Sequence, residues 1–206
     1  GKKTDKVGND TYRDGGYSYN YSQVMKTLAP CTNDTKGAFS SQVNAIEPAG
    51  ATNAAAGLEL AKGQTSGRSD AKKVVIFFTD GTPTTQSSFS PDVASSAVGN
   101  AKDMKDAGAV VYSIGIFQGA DPAKYPNAQG VSNENKFMHA VSSNYPSATY
   151  SYEKTSLWSG EYKWSFGDRA KGSDGKDAAF YKSATNADEL KHVFDDISKE
   201  SSTGAG

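Results

Sequence analysis

The apolar run Val74-Val75-Ile76-Phe77-Phe78 leads straight into Thr79-Asp80-Gly81-Thr82, so a strand-like segment ends on a carboxylate followed by a glycine. A carboxylate at a strand end invites phosphoryl-transfer chemistry, in which a nucleophilic aspartate stands two residues before a second one. Phe78 occupies that earlier position and has no group that can attack phosphorus. The other reactive side chains are isolated too. His139 and His192 fall on predicted helices without a paired nucleophile. Cys31 is the sole cysteine, which excludes an internal disulfide and a cysteine-rich metal site. These residues give no support to a hydrolase, and no enzymatic activity is expected. Read locally, Asp80-Gly81 is also a turn after a strand. Thr52, in Gly50-Ala51-Thr52-Asn53, is equally a helix N-cap.

The elements that must position these groups follow from periodicity and punctuation. The first 35 residues are polar and glycine-punctuated, as expected of a long surface loop or an edge hairpin with a short strand within Tyr19–Leu28. Helices are predicted over Thr35–Ile46 and Ala54–Lys62. Val74–Thr79 is a continuous apolar strand of the kind covered on both faces. Ser90-Pro91-Asp92 supplies an N-cap, a first-turn proline and a first-turn acid to a helix whose apolar positions are Val93, Ala97, Val98, Ala101 and Met104. Ala109–Ile116 is the next buried strand and 133–143 the next helix; a short strand is predicted over Ala178–Lys182. Thr185 is predicted to cap a last helix with Leu190, Val193, Phe194 and Ile197 on its core face. Alternating strands and helices imply an α/β, Rossmann-like parallel sheet with helices on both faces. Ligands of such sheets bind outside the carboxyl ends of the strands, where Asp80 lies. One stretch, about 144–177, interrupts the alternation with Tyr145, Tyr150, Tyr152, Trp158, Tyr162, Trp164 and Phe166. It reads as a β-hairpin insertion whose aromatics make a small core against the domain, or else a contact surface for a partner.

Gly50-Ala51-Thr52-Asn53 followed by Thr79-Asp80-Gly81-Thr82-Pro83, in that order and at that separation, resembles the von Willebrand factor A domain. The segments AKDMKDAGAVVYSIGI and YKSATNADELKHVFDDI resemble the family's later helix–strand and strand–helix pairs. The resemblance implies a domain over 1–200, with 201–206 as a polar tail. It also implies a metal-ion-dependent adhesion site for Mg²⁺ or Mn²⁺, which prefers oxygen ligands near about 2.1 Å in an octahedron. Thr52 would supply a hydroxyl and Asp80 a carboxylate, with an acidic side chain of the partner filling a remaining position. The family's Asp-x-Ser-x-Ser motif is absent. The expectation is a fragment that lacks the first strand and helix, in which the cation site is incomplete and unfilled. Its Val74–Phe78 strand would then have an open edge that recruits a second copy or another polypeptide.

Composition narrows the function classes. With 22 Lys and Arg against 23 Asp and Glu, the chain carries a net charge of −1, which gives no support to nucleic-acid binding. No apolar run approaches a membrane span. The 21 Gly, the 11 Tyr and the many Ser and Thr fit an extracellular setting. The resemblance then implies a bacterial cell-surface or pilus-type adhesion module for an extracellular matrix or host surface protein. The alternative is an intracellular domain of the same family that scaffolds a metal-chelatase-like or assembly complex.

Overall fold

A computed structural model describes residues 11–47, 50–67, 70–85 and 88–202. In chain order, a hairpin of β1 (Thr11–Asp14) and β2 (Tyr17–Asn20) precedes α1 (Asn33–Asn44) and α2 (Ala54–Thr65). Then come β3 (Lys73–Thr79), α3 (Pro91–Asp106), β4 (Ala109–Gly115) and α4 (Asn133–Val141). A second hairpin, β5 (Thr149–Lys154) and β6 (Gly160–Ser165), leads to β7 (Tyr181–Ser183) and α5 (Ala187–Ser202).

The central sheet is parallel in the order β3-β4-β7. β3 and β4 pair over their full length, from Lys73 against Ala109 to Thr79 against Gly115. Their β-branched and aromatic residues suit a pleated buried surface. α3 makes the crossover between them. The Ser90 hydroxyl accepts from the Val93 amide at 3.4 Å, and Pro91 opens the first turn. Its buried stripe of Val93, Ala94, Ala97, Val98, Ala101 and Met104 is rich in alanine, so the helix lies close to its neighbours.

The two faces of the sheet are unequal. On one, Val75, Phe77 and Val111 pack with α2, α3 and α4 in a large core that includes Leu58, Phe137, Met138 and Tyr181. On the other, α5 covers Tyr112 and Ile114 through Ile197, its only fully buried residue. The expectation that Val74–Thr79 is covered on both faces therefore needs correction. Ile76 is 38% exposed and Phe78 54%, because α5 sits toward β7 and leaves that side of β3 open. Two boundaries also shift. The last strand starts at Tyr181 and not Ala178, because Ala178 is held by the preceding loop through bonds to Ala170 and Arg169. Asn186, not Thr185, caps α5: its side chain accepts from the Glu189 amide at 2.9 Å, while Glu189 reaches back to Thr185.

The aromatic insertion is a hairpin, as its alternating rings imply. Tyr150 and Trp164 stack with centroids 3.9 Å apart, Trp164 continues onto Phe166, and Phe89 meets the edge of this ladder. The hairpin is tied to the helices by the Trp164 indole, which donates to Asn133, and by the Tyr162 hydroxyl, which donates to Asp92. Its tip differs: Leu157 and Trp158 face solvent entirely. Of the two histidines, His139 is fully buried. Its Nε2 donates to the Lys124 carbonyl at 2.8 Å and its Nδ1 accepts from Asn144 at 3.2 Å, so both ring nitrogens are held within the core.

Candidate functional site

The turn after β3 is braced from within. The buried Thr79 hydroxyl accepts from the Gly81 amide and donates to the Gly81 carbonyl, both at 3.1 Å, which projects Asp80 outward at the carboxyl end of the sheet. The loop before α2 docks alongside. Thr52 pairs with Pro83 in a parallel bridge, and the Thr84 amide donates to the Thr52 carbonyl at 2.9 Å. A Cβ on Gly81 would stand 3.2 Å from the Thr52 hydroxyl oxygen, tight enough that the hydroxyl would have to give way by a few tenths of an ångström. Thr52 and Asp80, far apart in sequence, are thus brought to one rim.

The local reading of Thr52 as an N-cap does not hold. Asn53 takes that position, its side-chain oxygen accepting from the Ala56 amide at 3.2 Å. The Thr52 hydroxyl is left without a hydrogen bond among the described residues, and so is the Asp80 carboxylate, which is exposed. Both oxygens are therefore free to meet a ligand.

A third element completes the rim and was not singled out in the sequence. The Thr82 hydroxyl donates to Glu134 at 3.3 Å, in the first turn of α4. Asp80, Gly81, Thr82, Phe117, Ser132 and Glu134 line a cleft of about 310 Å³. The available signal was position: the start of a helix that follows a parallel strand lies at the same end of the sheet as Asp80.

Hard oxygen donors of this kind fit Mg²⁺ or Mn²⁺ in type but not in number. Among the described residues no group of three or more His, Cys, Asp or Glu side chains is placed to hold a metal ion. A hydroxyl and a carboxylate leave most of an octahedron to water, and Mg²⁺ surrenders its hydration shell reluctantly.

Residues 3–153 match the family model of the von Willebrand factor type A domain. That range exceeds half of the chain, spans β1 to β5 with the whole Thr52–Asp80 rim, and places the chain in this family. No curated protein and no solved structure gives a significant match.

Proposed function

We propose that this von Willebrand factor type A domain is an adhesion module of a bacterial cell surface or pilus. It binds a protein partner at the carboxyl rim of its sheet through a divalent cation, Mg²⁺ or Mn²⁺, and does not catalyse a reaction. Thr52 and Asp80 contribute a hydroxyl and a carboxylate to that cation, and an acidic side chain of an extracellular matrix or host surface protein contributes another oxygen. The observation that supports this reading is the docking of the two loops: the Thr52 hydroxyl, released from capping by Asn53, lies beside Gly81, the residue that follows the exposed Asp80. With so few protein ligands, the domain alone holds the ion weakly, with a dissociation constant of about a millimolar or above.

Titration with Mn²⁺, followed by paramagnetic broadening of backbone amide signals, tests this. The amides of Asn53, Gly81 and Thr82 should broaden before the rest, and Asp80→Ala should abolish the effect. Broadening spread evenly over the acidic surface, or unchanged in Asp80→Ala, would sink the proposal.

A further inference from the structure

We propose that the tip of the β5–β6 hairpin is an anchor for the protein that docks on the rim: Leu157 and Trp158 enter an apolar pocket of that partner while its acid meets the cation. Leu157 is 91% exposed and Trp158 96%, side by side. Neither owes its exposure to a loose loop. The Ser159 carbonyl accepts from the amides of Thr155 and Ser156 at 2.9 and 3.1 Å. The Ser156 hydroxyl accepts from the amides of Trp158 and Ser159 at 3.2 and 3.1 Å and bonds the Ser159 hydroxyl at 2.7 Å. The turn thus commits its own polar groups to holding two apolar side chains in water. A group that is already fixed loses little freedom on binding, and Trp is enriched among the residues that carry interface affinity.

The hairpin also carries this tip to the rim end of the molecule. α3 follows β3 and α4 follows β4, so both helices begin at the carboxyl end of the parallel sheet, where Asp80 lies. Ahead of β5, the Tyr145 carbonyl accepts from Lys105 in the last turn of α3, at the opposite end. Farther along, Tyr150 meets Phe89, just before the Ser90 cap, and Tyr162, paired with Tyr152, donates to Asp92 in the first turn. The chain therefore climbs α3 toward the rim. Trp164 donates to Asn133 at 3.2 Å, and the next residue, Glu134, accepts from Thr82, two positions past Asp80. Beyond Tyr152 the strand runs on to Lys154, about 7 Å further, before it turns. A protein seated on the rim covers about 800 Å² of this chain, a patch about 30 Å wide, which is broad enough to take in the tip. A lipid surface fits less well. The hairpin sets Glu153 and Glu161 against Lys154 and Lys163, so no basic collar accompanies the two apolar residues, and two side chains alone give a membrane little hold.

This inference rests on the proposed rim site for its partner, and the experiment separates the two. The 206-residue chain is passed in Mn²⁺ over immobilised fibronectin and, separately, immobilised fibrillar collagen. At least one should bind it, and Asp80→Ala should abolish that binding. Leu157→Ser combined with Trp158→Ser should raise the Kd at least about tenfold, with the circular dichroism and the Mn²⁺-induced broadening at Gly81 unchanged. Loss with Asp80→Ala alongside an unchanged Kd for the serine variant would overturn the anchor and leave the rim site standing. Loss with the serine variant but not with Asp80→Ala would support the tip as the anchor and remove the cation from the interface. Binding to neither protein would overturn the proposal. So would co-sedimentation of the unaltered chain, but not of the serine variant, with phosphatidylcholine vesicles, which would make the tip a membrane anchor.

Discussion

Replacing Lys105 with methionine removes an ammonium that the last turn of α3 drives into the end of α4. Its Nζ donates to the carbonyls of Ala140 at 2.7 Å, Ser142 at 3.2 Å and Tyr145 at 3.2 Å. Tyr145 keeps a second partner in the Ala148 amide, whereas Ala140 and Ser142 lie where α4 runs out of its own donors. Orphaning two buried carbonyls costs about 1–3 kcal/mol each, but at neutral pH relief from burying a charge offsets most of it, so we expect a small net loss there that grows to about 2–4 kcal/mol toward pH 10. The pH dependence identifies the cause. Burial pushes the Lys105 pKa down to about 7 from its ordinary 10.5. Between those values the unfolded chain holds a proton that the folded one sheds, so folding gains stability as pH rises, by at most about 1.4 kcal/mol per unit. Below about pH 7 the cost of the buried charge is fully present. Urea unfolding of both proteins from neutral pH upward should show the native chain gaining on Lys105→Met. A gap that stays flat or narrows as pH rises would refute the reasoning.

His139 supplies the acid counterpart. Burial holds its pKa down at about 4, so stability should fall as pH drops from about 6.5 toward 4, by up to roughly 3 kcal/mol, and His139→Gln should flatten that part of the urea-unfolding profile. Gly81→Ala should leave the melting temperature nearly unchanged, since the backbone there is unstrained, but should push the Thr52 hydroxyl aside and weaken the Mn²⁺-induced broadening several-fold. Trp164→Ala removes the ring stacked between Tyr150 and Phe166 and should cost about 2–3 kcal/mol in chemical denaturation. Trp158→Ala, at a position 96% exposed, should cost less than about 0.5 kcal/mol while removing the acrylamide-quenchable part of the fluorescence.

The sheet and its crossover were legible because β3, α3 and β4 each carry their own signal: an unbroken apolar run, a serine-proline start, and a second apolar run after Gly108. The rim was half legible. The expectation that the Thr52 and Asp80 loops meet rested on a family resemblance carried by two short blocks, and the bond from the Thr84 amide to the Thr52 carbonyl brings those loops together. The role of Asn53 was not legible, since Thr52 and Asn53 are both good caps and only the docked loop decides between them. Glu134 was not legible either, because an acid in the first turn of a helix is usually explained by the helix dipole. Coverage of β3 was misjudged for a similar reason. An apolar run records which side chains avoid water, not which neighbours arrive to cover them, and Ile76 and Phe78 avoid it incompletely.

Unequal packing on the two sides of the sheet divides the molecule into tiers of persistence. The side holding Phe137, Met138 and Val98 can come apart only with the whole domain, so its amides should exchange at the global rate. α5 buries only Ile197 fully, with Leu190 and Val193 half-buried, and its end is held by Glu200, which accepts from Tyr112 and Lys182, and by Lys72, which donates to the Ser201 carbonyl. With a single side chain fully buried it should loosen before the other face, and because no hydrogen bond among the described residues joins it to Thr52 or Asp80, the C-terminal helix should peel and re-anneal while the rim keeps its shape.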